Sequence, residues 1–369
     1  MKNIFIVYPY YWPDFKAGGP IQSIINLVRL FSSRHHFFVT STFAQKENKN
    51  YSLRWNEWNV GPHGEQVFVS DYISPFKMYS LLKRNKPDLV YINGIFNANT
   101  TLPALFFGYI SGTKTIVSPR GMLKNWALEK KAFKKSIYLK LFKALLSEST
   151  IWHATNLQEE SEIKYIIGSN IKVYVADNIP RTPQVKPLVK PKLKEESLKL
   201  VFLSLINSNK QLDIIIEAVK SIKSGVMLDI YGPVADEKYW TRCVGLMGVD
   251  SNISYKGAVS PENVPRVLSN YHFFVLPTLG ENFGHAIFDA LSVGLPVIIS
   301  KNTPWKNLDA AYAGLYLNEL TALELNSTIE VLKHVSFEKH RTLSRGALSY
   351  AVDYVNSQNY TEAYHFLMS

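Results

Sequence analysis

The chain has 369 residues, 46% of them hydrophobic and 19% charged, with a formal net charge of +11 and a pI near 9.3. That length exceeds one ordinary core and suits two globular domains, while the positive balance implies an anionic partner: nucleic acid, anionic lipid or a phosphorylated substrate. A single cysteine, Cys243, excludes an internal disulfide and fits a reducing compartment.

Residues 3–8, NIFIVY, read as a buried first strand. The apolar run is too short for a secretory signal, and no small-residue cleavage site follows. The loop PYYWPDFKAGGP leads into IQSIINLVRLF, an amphipathic helix. Gly18 and Gly19 stand just before that helix, where backbone approaches a ligand closely. Taken alone, two glycines are read more simply as a turn. The strand-like runs HFFVTS, QVFVS, DLVYIN, TKTIVS, STIWHAT and IKVYVA follow, with helices expected over 76–86, 101–111, 126–147 and 156–168. Such alternation indicates a parallel sheet wrapped by helices. LPALFFGYI is the nearest approach to a membrane span and falls well short of about 18 apolar residues.

SPRGML sets Arg120 just past the strand TKTIV, at the carboxyl edge where ligands of α/β sheets gather. Arg120 is placed there to meet an anion by bidentate bonds, or else is a surface arginine. In residues 123–146, Phe133, Ile137, Leu141 and Leu145 share a helical stripe. Lys124, Lys130, Lys131, Lys134, Lys135, Lys140 and Lys143 occupy the remainder. This basic amphipathic segment fits an anionic membrane surface, or a core-facing stripe with a solvated lysine face; both hold if the stripe faces the core and the lysines face lipid. Nucleic acid is not expected, because no helix-turn-helix, zinc or RNA-recognition signature accompanies the charge. His153, Asp177 and Asn178 end strands, and a lone histidine there reads as structural.

Residues 180–197, PRTPQVKPLVKPKLKEES, read as an extended interdomain linker. LKLVFLSLINSNKQLDIIIEAVKSI is strand, polar loop and helix, with Lys210 in the loop, where an ammonium neutralises a diphosphate. VMLDIYGP and NISYKGAV are further strands, with Gly232 and Gly257 at their ends. The most informative stretch is 277–300, PTLGENFGHAIFDALSVGLPVIIS. HFFVLP before it and PVIIS at its end are strands, and Ala286, Ile287, Ala290 and Leu291 recur at helical spacing between Gly284 and Gly294. The loop carries Glu281, Asn282, Phe283 and Gly284; His285 opens the helix and Asp289 follows on it. A helix N-terminus with unpaired N–H groups suits a phosphate, and the two carboxylates suit hydroxyls. Either carboxylate alone fits an ordinary loop or helix surface; their joint placement with Lys210 and the glycine pair points to a site. No Asp-x-Asp occurs, so no metal is expected. Residues 301–369 read as helical.

The words PTLGENFGH and PVIISKNTPW, with seven residues between Glu281 and Asp289, resemble the donor-binding motif of retaining GT-B glycosyltransferases of family 4, whose pattern is Glu, seven residues, Glu. Within that family they are similar to bacterial O-antigen and capsule enzymes, and the resemblance covers nearly the whole chain. It implies an α/β GT-B fold with two Rossmann-like domains facing across a cleft. These are an acceptor-side domain at 1–179, the linker at 180–197, a donor domain at 198–349, and a last helix at 350–369 crossing back. The implied reaction moves a sugar from a nucleotide sugar to an acceptor hydroxyl with retention, on a lipid-linked glycan of surface-polysaccharide synthesis, at the inner face of the cytoplasmic membrane. Glu281 would take donor-sugar hydroxyls and Asp289 the nucleotide ribose. The main-chain N–H groups of Asn282, Phe283 and Gly284 would meet sugar or phosphate, His285 the sugar or acceptor, and Gly18 and Gly19 the donor. Lys210 and Arg120 would stabilise the departing diphosphate without a metal. Three departures stand out. Arg120 replaces a histidine common in relatives, although Trp126, Ala127 and Leu128 keep the word that follows; Leu205 replaces an arginine five residues before Lys210; Asp289 is one methylene shorter than Glu. Other classes are a non-catalytic GT-B subunit, for which Leu205 and Asp289 speak, a basic nucleic-acid-binding protein, and an epimerase or hydrolase of nucleotide sugars.

Overall fold

The computed structural model describes residues 1–13, 18–42, 52–129, 132–188, 197–248 and 252–369. The chain forms two compact units, Met1–Ile179 with Asn359–Ser369, and Pro180–Gln358. Lys130, Lys131 and positions 189–196 of the linker lie outside the described residues.

The first unit runs β1 (Asn3–Val7), α1 (Gly19–Phe31), β2 (His36–Thr42), β3 (Glu57–Val60), β4 (Gln66–Ser70), α2 (Pro75–Asn85), β5 (Leu89–Asn93), α3 (Ala98–Ser111) and β6 (Lys114–Ser118). It continues with α4 (Asn125–Glu129), α5 (Ala132–Ala144), β7 (Thr150–Ala154), α6 (Leu157–Ile167) and β8 (Val173–Val175). Its eight-stranded sheet has the order β3-β4-β2-β1-β5-β6-β7-β8. All pairings are parallel except β3 against β4. The central strands are continuous apolar runs because helices cover both faces; every residue of β5 is buried. β1 lies between β2 and β5, so the chain leaves β1 to one side and β5 to the other. This is the topological switch at which α/β sheets bind ligands.

Of the helix expected over 126–147, the described residues form α4 and α5. On α5 the core is reached by Phe142, with Tyr138, Leu139 and Leu145 packed beside it. Of the stripe read from the sequence, Phe133, Ile137 and Leu141 are 79%, 48% and 56% exposed and do not face the core, whereas Leu145, just past the helix, packs against it. The helix is apolar on two sides, and burial of the Phe142 side leaves the other outward.

The second unit contains β9 (Leu198–Leu203), a 3₁₀ turn (Ser208–Lys210), α7 (Leu212–Lys220), β10 (Val226–Tyr231), α8 (Glu237–Met247), β11 (Ile253–Gly257) and α9 (Val264–Leu268). There follow β12 (Phe273–Leu276), α10 (His285–Ser292), β13 (Val297–Ser300), β14 (Gly314–Leu317), α11 (Ala322–Lys333) and α12 (Phe337–Asn356). The six-stranded sheet is parallel throughout, in the order β11-β10-β9-β12-β13-β14. That is the doubly wound arrangement, with its switch between β9 and β12. The strand β14 corrects the all-helical reading of 301–369.

The last helix, α13 (Tyr360–Met368), belongs to the first unit. There the Tyr364 hydroxyl donates to Asp177 O at 3.1 Å, and Lys114 Nζ donates to Leu367 O at 3.0 Å. The return falls at Asn359 and not at 350, because α12 runs on with Tyr350 and Tyr354 packed against Trp305. Of the linker, Gln184 and Leu188 donate backbone bonds to Ser292 O and Val293 O, both at 2.9 Å. This part of the linker lies along the end of α10 and is not a free spacer.

Candidate functional site

In the second unit the loops after β9 and β12 flank the switch point, and hydrogen bonds fasten them together. Leu279 N and Thr278 Oγ1 donate to Asn209 O at 2.9 and 3.1 Å. Asn209 Nδ2 donates to Gly280 O at 3.0 Å. Asn207 caps its own turn by accepting from Asn209 N at 3.0 Å. The buried Ser300 at the end of β13 donates to Thr278 O at 2.6 Å, and Glu281 N reaches Asn302 O at 3.1 Å. The consequence is that two residues 71 apart in sequence meet: Lys210 Nζ lies 2.5 Å from Glu281 Oε1, with side chains 14% and 12% exposed.

α10 starts at the same edge. Its N-cap, Gly284, has φ +79°, and no side chain caps the helix. The first-turn N–H groups therefore keep the partial positive charge that favours an anion. A Cβ at Gly284 would lie 3.0 Å from Ile287 Cδ1, 3.3 Å from Trp305 Nε1 and 3.4 Å from Glu281 Cγ, so an added methyl is crowded by its neighbours as well as strained by φ. The Phe283 side chain packs among His285, Trp305, Phe288 and Tyr354, with ring centroids 4.6–6.2 Å away. What Phe283 has for a ligand is its main chain. Asn282 and His285 are half-buried beside it.

Asp289, further along α10, is buried. Its Oδ1 accepts from Arg181 Nε at 3.0 Å, and Arg181 Nη2 donates to Pro261 O at 2.8 Å. Burial raises the Asp289 carboxyl above the ordinary aspartate value, and the Arg181 charge and hydrogen bond oppose that rise. Sequence reasoning missed Arg181, one cation among many in a segment taken as a spacer. Leu205, where the resembled pattern has arginine, is a half-buried apolar residue in the loop after β9.

In the first unit Arg120 has φ +57° and follows β6. Its Nε donates to Asn93 Oδ1 at 2.7 Å, its Nη2 to Tyr91 Oη at 2.8 Å, and its Nη1 to Asn178 Oδ1. Tyr364 of α13 also bonds to it. Asn178 Oδ1 accepts from Ser23 Oγ at 3.0 Å, and Asn93 Nδ2 donates to Pro20 O at 3.2 Å, which ties the cluster to the start of α1. Gly18 caps α1 with φ +60°, and Gly19 is its first residue. Beside Tyr91, His153 Nδ1 lies 2.6 Å from Tyr91 Oη, and its Nε2 lies 2.8 Å from Ala176 O. Burial and the Arg120 charge push the His153 imidazole down to about 3. Lys210, Glu281, the residues 282–285 and Asp289 thus gather in the second unit, and Arg120, Gly18 and Gly19 in the first.

Two doubly wound α/β units of this kind in one chain constitute the GT-B fold. Residues 197–331 match the family model described as glycosyl transferases group 1. The fold is similar to that of Anabaena Alr3699/HepE in complex with UDP-glucose, with a TM-score of 0.72 and 15% identity over 100% of this chain and 99% of that one. It is also similar to WaaG, a glycosyltransferase involved in lipopolysaccharide biosynthesis (TM-score 0.64, 15% identity, 99% and 98% covered). A mutant of S. aureus TarM in complex with Fondaparinux, alpha-GlcNAc-glycerol and UDP is similar too (TM-score 0.69, 11% identity, 100% of both chains). No curated protein matches the sequence.

Proposed function

We propose that the protein transfers a sugar, with retention at the anomeric carbon, from a nucleotide sugar to an acceptor hydroxyl. The observation that carries this reading is the pairing of Lys210 with Glu281 at the switch point, beside the uncapped start of α10. The match of residues 197–331 to group 1 glycosyl transferases and the fold shared with proteins captured with UDP or UDP-glucose support it. In this reading the bond between the anomeric carbon and the β-phosphate oxygen breaks, and a bond to the acceptor oxygen forms on the same face. The acceptor proton passes to the departing phosphate. Negative charge growing on that phosphate is met by the Lys210 ammonium and the N–H groups at the start of α10, in place of a metal. Glu281 accepts from donor-sugar hydroxyls, and Asp289 from the ribose. Arg120, with three nitrogens engaged by protein oxygens, holds the carboxyl edge of the first sheet to the start of α1.

The acceptor in this reading is a lipid-linked glycan at an anionic membrane surface. α5 turns Phe133, Ile137 and Leu141 outward, with Lys134 and Lys140 on either side of that stripe around the helix. Leu128 and Glu129 of α4 with Lys135, Leu139, Lys140 and Lys143 of α5 line a groove of about 530 Å³. Among the described residues no helix is long and apolar enough to cross a membrane.

The reading is tested by thermal stability against a panel of nucleotide sugars and nucleoside diphosphates, with and without EDTA. A ligand at 100 times its Kd stabilises the native state by about 2.7 kcal/mol. Stabilisation by one nucleotide family, unchanged by EDTA and lost in Glu281→Ala and Lys210→Ala, is the expected result. A folded protein that no member of the panel stabilises refutes it.

A further inference from the structure

We infer that Arg181 is the positioning residue of the nucleotide subsite: it fixes Asp289 so that this short carboxylate presents its free oxygen to the two hydroxyls of a ribose. The inference rests on the donor reading given above and concerns a residue outside the motif on which that reading was built.

Arg181 lies 108 residues before Asp289, in the segment that the sequence presents as a linker. Its guanidinium is held at two points, Nε on Asp289 Oδ1 at 3.0 Å and Nη2 on Pro261 O at 2.8 Å. The two side chains are 13% and 9% exposed. The chain that follows is fastened as well, through Gln184 N to Ser292 O and Leu188 N to Val293 O, so the arginine is delivered to α10 by backbone bonds at the helix end. Held in this way, Arg181 leaves Asp289 few orientations. Only Oδ1 is taken; among the described residues Asp289 Oδ2 has no partner, and a carboxylate has lone pairs for further donors.

Two physical needs meet in this arrangement. A carboxyl group accepts from both hydroxyls of a diol most strongly when ionised, and a buried one drifts towards its neutral form unless a cation stands beside it. A side chain one methylene shorter than glutamate must also be aimed, because it cannot search for its ligand. Arg181 supplies both the charge and the aim. A purely structural ion pair would serve neither end, and its loss would weaken every ligand of the site alike.

The test measures Kd by calorimetry for UDP, GDP and ADP and for the 2′,3′-dideoxy form of each, with the full-length protein and with Arg181→Gln, Asp289→Asn, the double variant and Arg181→Lys. For the diphosphate that binds, the natural protein should favour the ribo form by about tenfold or more, equivalent to about 1.4 kcal/mol. Arg181→Gln and Asp289→Asn should each reduce that preference to about twofold or less. The double variant should lose no more than either single one, and Arg181→Lys should keep part of the preference, since it restores charge without the fork. Equal weakening of ribo and dideoxy forms in Arg181→Gln, with the preference intact, overturns the inference and leaves the donor reading standing. Absence of any ribo preference in the natural protein overturns it too. Failure of all three diphosphates to bind the folded natural protein removes the donor reading itself, and the inference with it. If Arg181→Gln does not fold, Asp289→Asn and Arg181→Lys carry the comparison.

Discussion

Replacing Gly284 by alanine tests how the donor loop is built. The residue caps α10 with φ +79° and ψ 59°, a region in which a Cβ costs about 1–2 kcal/mol. The added methyl would also sit 3.0 Å from Ile287 Cδ1 and 3.3 Å from the Trp305 indole nitrogen. Ile287 is fully buried and Trp305 is 2% exposed, so neither yields without repacking, at roughly another 1 kcal/mol. The sum is about 2–3 kcal/mol. For a unit of this size each kcal/mol lowers the melting temperature by about 2–4 °C, so a drop of about 4–12 °C is expected in the transition of the second unit. The third neighbour is Glu281 Cγ at 3.4 Å, so the strain is relieved in part by moving the carboxylate that pairs with Lys210. Nucleotide-sugar affinity should therefore fall by more than the stability loss accounts for. Differential scanning fluorimetry and calorimetric titration read the two effects. A variant that melts with the natural protein and binds as tightly would refute the account of Gly284 as both a strained cap and a spacer for Glu281.

Three further outcomes are expected. His153 is neutral in the fold, its pKa pushed down to about 3, while in the unfolded chain it protonates near 6.5. The stability it contributes is present above pH 6.5 and lost as pH falls towards 3, with about 2 kcal/mol gone by pH 5; denaturant unfolding should show a steeper acid loss than in His153→Gln, and identical slopes would refute the assignment. Phe133→Ser, Ile137→Ser and Leu141→Ser together should weaken sedimentation with anionic vesicles by about tenfold or more while leaving the melting temperature unchanged, because these side chains are outward. Unaltered vesicle binding would remove α5 as the docking element. Leu205→Arg should tighten nucleoside-diphosphate binding by about tenfold or more, since a charged hydrogen bond contributes about 1.5–3 kcal/mol; unchanged affinity would mean that Lys210 and the α10 terminus already satisfy the phosphates.

Much of the fold was legible because its strands are buried on both faces and so appear as short apolar runs between loops and helices. The misses have local causes. β3, with the sequence EWNV, is an edge strand exposed at Glu57 and Val60, and its mixed polarity hides it. β14, GLYL, is four residues led by a glycine whose Cβ would meet Val297 O, so close sheet packing required a residue that reads as a breaker. On α5 the sequence presented two apolar arcs. Nothing in their spacing said that Phe142 would be buried and that Phe133, Ile137 and Leu141 would not.

The site divides in the same way. Glu281, Gly284 and Asp289 lie within nine residues, so a local pattern carries them. Lys210 could be placed at a strand end, yet its contact with Glu281 depends on β9 and β12 being neighbours, a matter of sheet order that no local window contains. Arg181 was harder still, because its neighbours in sequence are prolines and lysines of a segment that looks extended, and its partner lies 108 residues away. The departures from the resembled pattern share a physical logic. Shortening the second carboxylate to Asp289 coincides with an arginine fixed on it, and exchanging a histidine for Arg120 coincides with Asn93, Tyr91 and Asn178 gathered around the guanidinium. In both places a buried charge stands among groups that satisfy it, so such a substitution has to be judged by the contacts around it as well as by the residue exchanged.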